Sequence, residues 1–461
     1  MSVVAAFAVP HPPIILPEIG RGEEEKISKT LSAYREAMRR AAELKPDTIV
    51  LTSPHSIMYA DYFHISPGAG AKGDFGEFRA PEVEISAAYD EAFAAALSAL
   101  CEEKGPAAGT LGERNPKLDH GTMIPLYFLN SFTKDYKLVR IGLSGLSARE
   151  HYSLGMRIAQ TAEALDRRVV VIASGDLSHK LLSEGPYGFA AQGPEFDKQV
   201  TLALREGDFL SLLTLPPEFC ESAAECGLRS LQIMAGALDK KSVKPELLSY
   251  EGPFGVGYAV AAFEVTGEDE DRSFGEQFYL VTTRRLIALR EHEDEYVRLA
   301  RLSVETYVRT GTRAKLPEDI SPELRSRRAG AFVSLKKGGA LRGCIGTIGP
   351  AMPCLAEEIM HNGVAACSQD PRFPKVEPAE LASLEYSVDV LTEPERISSA
   401  AELDVRRFGV IVEDGDKRGL LLPDLDGIDD VAQQIAIAKR KAGIAENVSP
   451  VLYRFEVVRH R

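Results

Sequence analysis

The sequence contains no run of about 18 consecutive apolar residues, which is the length that a membrane-spanning helix needs. No basic segment followed by an apolar segment stands near its start, so we expect no secretion signal. The six cysteines form no CxxC pair, and in a chain of 461 residues this is typical of reduced, cytoplasmic thiols. Acidic residues outnumber basic ones by 68 to 54, which opposes non-specific binding to nucleic acid. These absences predict a cytoplasmic protein with neither nucleic-acid nor membrane partners.

The length and the hydrophobic pattern predict two domains joined by an acidic connector. The stretch TGEDEDRS at 266–273 separates two kinds of pattern. Before it, strand-like segments alternate with amphipathic helical ones such as 26–44, which predicts an α/β domain with a mixed or mainly parallel sheet flanked by helices. After it, a helix near 294–309 precedes a hairpin and further strands, which predicts a smaller α+β domain. The predicted bounds are 1–266 for the first domain, 267–289 for the connector and 290–461 for the second domain.

Histidines follow predicted strands at several places in the first domain. His11 ends the run AFAVPHPP, and His55 ends TIVLTSPHS. His179 follows VVVIASGDLSH, and His120 stands beside a glycine in KLDHGTMIPLYF. Ligands of open α/β sheets bind beyond the carboxyl ends of the strands, so we expect the four imidazoles to converge. Each of them alone could instead cap a loop, but four together favour a transition-metal site.

A third, anionic ligand is predicted in ESAAECGLRSLQIMAGAL, where Glu225 and Cys226 open a helix. Two histidines and one carboxylate form the arrangement that leaves open positions on non-haem iron(II). The helix dipole alone also favours a carboxylate at a first helical turn, so Glu225 could be a simple end charge. Successive helical residues diverge by about 100°, and only one of the two should face a metal. A thiolate would select softer ions and disfavour dioxygenase chemistry.

The ordered motifs HPP, SPHS, LDHGTMIPL, SGDLSH, AECG and GYAVAAF resemble the class III extradiol ring-cleaving dioxygenases, the LigB-type superfamily that also includes the Memo proteins. The resemblance covers residues 3–265. It implies that His11, His55 and Glu225 hold iron(II). Memo-type members have a cysteine followed by glycine at the third position, so the resemblance also implies Cys226 as the alternative ligand.

The resemblance further implies a reaction and its acid–base groups. A catechol-like substrate and dioxygen (O2) would meet at Fe(2+), and the family's acid–base histidine maps onto His179. An imidazole pKa near 6.5 suits proton transfer in both directions. The histidine of the Asp-His-Gly motif, which lines the substrate site, maps onto His120. Asp176 could orient His179 or cap a turn, and with Cys226 as ligand another divalent metal or copper is expected.

The second domain contains the stretch ALRGCIGT, in which two glycines flank Cys344. Arg342 could lower the pKa of this thiol, or Cys344 could be a small apolar residue in tight strand packing. With DPRFPKVEPAEL, LEYSVDVLTEPERI and GLLLPDLDG, the stretch resembles the AMMECR family over residues 290–458, whose activity is not established. We expect a cleft that brings Arg342, Cys344, Arg372 and Glu385 together.

Memo-like and AMMECR-like proteins accompany a radical S-adenosylmethionine protein in the AmmeMemoRadiSam system. The resemblance to both families implies two open hypotheses. One is an iron(II) extradiol-type dioxygenase acting on a small aromatic substrate with O2, and the other is a metal-binding module that partners a radical S-adenosylmethionine enzyme and cleaves no ring. A cysteine-dependent transferase or hydrolase centred on Cys344 has only His361 nearby in sequence. We also expect a homo-oligomer.

Overall fold

The computed structural model describes residues 2–425, 428 and 430–461. The last two residues of the GLLLPDLDG motif, Asp426 and Gly427, lie outside the described residues. The chain divides into two compact units, of which the first ends at Val281 and the second begins at Thr282. No helix of the described residues is both long and apolar enough to cross a membrane.

The first unit is built on a six-stranded mixed sheet. Its order is β7-β2-β8-β1-β10-β9. The first four strands are parallel to one another, and β10 runs antiparallel to both of its neighbours, β1 and β9. This confirms the predicted α/β class. The strands of the unit, including two small pairs, are β1 (Val3–Val9), β2 (Thr48–Ser53), β3 (Phe63–His64), β4 (Gly70–Phe75), β5 (Ala80–Ala88), β6 (Ala108–Gly109), β7 (Lys137–Gly142), β8 (Val169–Ser174), β9 (Lys241–Glu251) and β10 (Tyr258–Glu268).

Helices cover the sheet because each carries an apolar stripe that needs a partner surface. The helix predicted at 26–44 is present and turns its buried residues to the sheet. The helices are α1 (Pro17–Gly20), α2 (Ser28–Glu43), α3 (Glu91–Lys104), α4 (His120–Leu129), α5 (Ala148–Ala164), α6 (Gln192–Glu206), α7 (Phe209–Thr214), α8 (Pro217–Ala223), α9 (Leu228–Ala237) and α10 (Phe274–His292).

A hydrophobic cluster lies on each face of the sheet, and β1 contributes to both. Ala6 and Ala8 pack into one cluster, while Ala5 and Phe7 pack into the other. A strand buried on both faces is continuously apolar, which explains the uninterrupted run at the start of the chain. Because β1, β2 and β8 are parallel, their carboxyl ends and the loops that follow them lie at one edge of the sheet.

The second unit contains two antiparallel four-stranded sheets, in the orders β12-β11-β13-β18 and β14-β17-β15-β16. This confirms the predicted smaller α+β domain. Its strands are β11 (Ala331–Lys337), β12 (Ala340–Gly346), β13 (Leu384–Leu391), β14 (Glu395–Ile397), β15 (Gly409–Asp414), β16 (Lys417–Leu421), β17 (Val451–Phe455) and β18 (Val457–His460), and its helices after α10 are α11 (Glu295–Thr310), α12 (Pro322–Ser326), α13 (Leu355–Ser368) and α14 (Val431–Ala442).

The connector expected at 267–289 has regular structure. Strand β10 continues to Glu268, and α10 occupies most of the remaining residues. The boundary between the compact units falls inside this helix, after Val281. Acidic residues at 268–271 are therefore part of a strand end and a short 3-10 turn.

Candidate metal centre

Three potential ligand atoms converge at the carboxyl edge of the sheet. His11 follows β1, His55 follows β2, and Cys226 comes just before α9. The ring Nε2 atoms of His11 and His55 are 3.0 Å apart, and the Cys226 Sγ is 3.7 Å from His11 Nε2. The three ligand atoms all lie within 4.8 Å of one another. The expected convergence of His11 and His55 is therefore present in the structure.

These distances fit one shared transition-metal ion. Nitrogens bound at about 2.0–2.1 Å with a bond angle of about 90–109° lie about 2.8–3.4 Å apart, and a sulfur bound at about 2.3 Å lies about 3.1–3.6 Å from such a nitrogen. The observed 3.0 and 3.7 Å are at or close to these ranges. Three protein ligands would leave a further coordination position, as catalytic ions require. His11 is buried and His55 is exposed, so the cluster reaches the surface.

A buried serine fixes the tautomer of His11. Ser174 Oγ donates its only proton to the Gly121 carbonyl at 2.6 Å, and it lies 3.0 Å from His11 Nδ1. The hydroxyl must therefore accept from His11, which places the ring proton on Nδ1. Nε2 is left with a free lone pair that faces His55 and Cys226. Partners of this kind orient metal-binding histidines and raise their basicity.

The electrostatics keep the histidines in the neutral form that binds metals. Burial, and after it the neighbouring His55, lower the pKa of His11 to about 3. Burial and the same neighbour lower the pKa of His120 to about 3. Burial also raises the pKa of the Cys226 thiol well above its ordinary value. An incoming ion would therefore have to displace the Cys226 proton, because only a thiolate is a good ligand.

Two glycines let Cys226 reach the histidines. A Cβ added to Gly175 would lie 2.2 Å from the Cα of Gly227, so the end of β8 and the start of α9 cross with bare backbones. Ala224 turns the chain with a left-handed backbone (φ 52°) before this crossing. A hydrogen bond joins the two segments at this crossing, because the Cys226 N–H donates to the Asp176 carbonyl at 3.3 Å.

Comparison with known proteins identifies the families of the two domains. The family model of the catalytic LigB subunit of aromatic ring-opening dioxygenase matches residues 5–261, which is more than half of the chain. The chain belongs to the LigB family. The AMMECR1 family model matches residues 297–460, so an AMMECR1 domain follows the LigB domain. Both resemblances expected from the motifs are confirmed.

Relatives differ in how much of this two-domain chain they share. A protein of Clostridium acetobutylicum is 39% identical over 100% of both chains. A protein of Thermotoga maritima is 50% identical over 37% of this chain and 98% of its own. Among solved structures, an uncharacterized protein of Pyrococcus horikoshii is 35% identical, with a TM-score of 0.33 over 36% of this chain and 88% of its own.

The expectation that Glu225 faces the metal is corrected by the structure of the LigB domain. The Glu225 carboxylate accepts a hydrogen bond from the Leu228 N–H at 2.6 Å, at the first turn of α9. The carboxylate thus caps the helix, which was the alternative left open for it. Residues 225–227 precede the helix, so the 100° spacing of helical residues does not apply to Glu225 and Cys226. Cys226 is the residue that joins the histidines.

Asp176 does not orient His179 through a hydrogen bond. Its Oδ1 accepts from the His11 backbone N–H at 2.8 Å, so Asp176 holds the loop that carries the first ligand. The His179 ring instead places Nδ1 3.0 Å from the Leu177 carbonyl and lies edge-on to Tyr187, with ring centroids 5.1 Å apart. A carbonyl can only accept, so the Nδ1 of His179 carries the proton and its Nε2 is free to act as a base.

His120 lies directly beside the ligand cluster. Its ring centroid is 4.0 Å from that of His55 and 5.5 Å from that of His11. It starts α4, whose first turn is capped by Asp119 through the Thr122 N–H. The structure therefore places His120 next to two of the potential ligands, and its role in a substrate site stays a prediction. Sequence reasoning missed Ser174, although its position as the last residue of β8 was the available signal.

The cleft expected in the AMMECR1 domain is divided among separate ion pairs. Arg342 forms two hydrogen bonds with Glu380, at 2.8 and 3.0 Å. Glu385 pairs with Arg285 at 3.2 Å. These two residues therefore do not meet around the thiol of Cys344, and the expectation of a cleft with all four is corrected.

Cys344 and Arg372 do lie together. Arg372 Nη2 donates to the Cys344 carbonyl at 3.1 Å and pairs with Asp370 at 2.7 Å. Ser334, on the neighbouring strand, donates to the Cys344 Sγ at 3.2 Å. Burial raises the pKa of this thiol, while Ser334 and Arg372 oppose the increase. Arg342 does not activate the thiol as expected, because its guanidinium is held by Glu380.

Proposed function

We propose that the LigB domain is a redox-active metal protein that binds copper through His11, His55 and Cys226 and cleaves no aromatic ring. The observation that carries the proposal is the third donor, which is a thiol and not a carboxylate. Two imidazoles and a thiolate are soft to borderline ligands, and copper binds most tightly among the divalent first-row ions. The hard carboxylate that would suit iron(II) is engaged in capping a helix.

The surrounding residues supply binding and proton transfer. Bound copper would add one-electron oxidation and reduction at the exposed side of the cluster. His179 lies near enough to His11 to act on its charge, and its Nε2 would accept a proton from a small molecule bound there, because its Nδ1 proton is held by the Leu177 carbonyl. His120 is kept neutral by burial and by His55, and its ring offers one donor and one acceptor to the same molecule.

The test compares the metal content of three forms of the full chain. The wild type, Cys226→Ser and Glu225→Gln are loaded with copper, zinc or iron(II) under anaerobic conditions, dialysed and analysed. We expect Cys226→Ser to lose copper. Glu225→Gln is the matched control, because the amide oxygen still accepts from Leu228. Cobalt(II) gives an independent readout, since a thiolate-to-cobalt absorption band should appear in the wild type and in Glu225→Gln only.

Iron(II)-dependent extradiol cleavage is the second candidate, favoured by the position of His120 beside the cluster and by the LigB family. Catechol cleavage by the iron(II)-loaded wild type, with iron lost in Glu225→Gln and retained in Cys226→Ser, would refute the copper proposal. A radical S-adenosylmethionine protein remains the proposed partner of the fused domains. A binding titration of the full chain with such a protein, with and without copper, measures that interaction.

A further inference from the structure

A buried polar cluster lies in the LigB domain beside the metal centre, formed by His64, Ser66, Tyr89 and Arg140. The four residues are 0%, 4%, 5% and 1% exposed. The segment after β3 runs next to β7, where the Ser66 N–H donates to the Arg140 carbonyl at 2.9 Å. Tyr89 follows β5 and forms a bridge with Leu138, two residues before Arg140. The alternation of side chains along β7 therefore places the cluster on one face of the sheet.

The neutral members of this polar cluster have unused hydrogen-bonding atoms. Both ring nitrogens of His64, the Ser66 Oγ and the Tyr89 Oη have no hydrogen-bond partner. Tyr89 lies near Ser66 and Arg140 without hydrogen-bond geometry to either. Buried polar groups in native proteins almost always have partners, and each unsatisfied one costs about 1–3 kcal/mol. Several such groups in one place indicate a missing ligand.

Arg140 makes that ligand an anion. Its Nε donates to the Ser56 Oγ at 3.1 Å, and its Nη1 donates to the Lys117 carbonyl at 3.0 Å. Within the described residues, no carboxylate forms an ion pair with this guanidinium. A buried charge without a counter-ion is costly, and neutral acceptors do not cancel it.

The protonation states of His64 and Tyr89 determine the net charge that the polar cluster presents to a ligand. Burial and the nearby Arg140 lower the pKa of His64, and Glu113, whose backbone and charge act on the ring, opposes this only in part, so the ring is neutral and carries one N–H. Burial raises the pKa of Tyr89, so its hydroxyl keeps the proton. The polar cluster thus presents one positive charge together with O–H and N–H donors. Water would satisfy the donors but leave the charge of Arg140 unpaired.

We propose that the polar cluster of His64, Ser66, Tyr89 and Arg140 binds one small monovalent anion. A halide or a small carboxylate matches the single charge and the convergent donors. The site has a structural link to the metal centre, because Arg140 also holds Ser56, the residue directly after His55. An anion that fixes Arg140 thereby fixes the base of the loop that carries His55.

The test measures thermal unfolding of the full chain at constant ionic strength. Sodium gluconate, whose anion is too large for an enclosed site, is replaced stepwise by chloride, bromide or formate. We expect the unfolding temperature to rise with the logarithm of anion concentration above the dissociation constant. If halides and formate both raise the unfolding temperature, the anion with the lower fitted dissociation constant shows whether an inorganic anion or a carboxylate is preferred.

Variants separate this site from general salt effects. Arg140→Leu should abolish the dependence on the anion, whereas the same change at the exposed Arg205 should preserve it. Because Arg140→Leu could fail to fold, Tyr89→Phe is the second variant, and loss of its donor should raise the fitted dissociation constant about tenfold. Crystals grown in bromide should show an anomalous peak within contact distance of Arg140. Equal unfolding temperatures in all anions, unaltered anion dependence in either variant, or absence of the bromide peak would overturn the proposal.

Discussion

Replacing Ser174 by alanine should weaken metal binding without removing any ligand. The Ser174 hydroxyl accepts from His11 Nδ1 at 3.0 Å and donates to the Gly121 carbonyl at 2.6 Å. Without it, the His11 proton is free to move to Nε2, the nitrogen that must bind the ion. The variant therefore has to reverse this tautomer before it can bind.

The size of the effect follows from these contacts. Loss of the partner that orients a metal-binding histidine typically lowers metal affinity by 10- to 100-fold. This corresponds to about 1.4–2.7 kcal/mol of binding free energy. The Gly121 carbonyl also loses its buried donor, so the free energy of unfolding should fall by about 1–3 kcal/mol.

The assay is a competition titration of copper or zinc between the protein and a chromophoric chelator. Ser230→Ala is the matched control, because Ser230 is equally buried and donates to the Ser174 carbonyl at 2.9 Å but does not contact His11. We expect the control to lose stability and keep its affinity. If Ser174→Ala binds the ion within threefold of the wild type, or if Ser230→Ala is weakened equally, the tautomer argument is wrong.

Two further predictions concern titratable groups elsewhere. Burial raises the pKa of Asp197 to about 7, so its contribution to stability is complete below the ordinary carboxyl pKa of about 4 and is lost as the pH rises through 7. In urea unfolding, the free energy of unfolding of Asp197→Asn should therefore rise by about 2–3 kcal/mol relative to that of the wild type between pH 5 and pH 8. A difference between the two proteins that does not change with pH would contradict this. Burial raises the pKa of Cys344, so its alkylation should be slower than that of an unfolded control at pH 8 and should accelerate above pH 9. The extent of alkylation is measured by mass spectrometry. Rapid labelling at pH 6 would instead indicate an activated thiolate.

The strand-end histidines were predictable because the rule behind them is local. An apolar run that ends in His11 or His55 places an imidazole at the carboxyl edge wherever the strands are parallel. The choice between Glu225 and Cys226 depends on a turn that the sequence does not reveal. Ala224 adopts a left-handed backbone, which alanine rarely does, and α9 begins only at Leu228.

The environment of a charged residue was equally hidden. Arg140 stands in the apolar segment YKLVRIGL, which correctly predicts β7 but gives no sign that the guanidinium is buried. Its surroundings come from residues 23 to 84 positions away, including Ser56 and Lys117. Such contacts depend on tertiary packing. For the same reason, the expected pairing of Arg342 with the Cys344 thiol gave way to its pairing with Glu380.

The central position of β1 constrains the order of events during protein synthesis. β1 lies between β8 and β10, so its two neighbours are translated more than 150 and 240 residues later. At about 5–20 residues per second, β1 waits roughly 10–50 s for its second partner. A metal ion that arrived early would meet His11 and His55 without the Cys226 thiol, since the chain between His11 and Cys226 spans 215 positions. The three ligand atoms can therefore come together only after the LigB domain has been synthesised, while the AMMECR1 domain is still being translated.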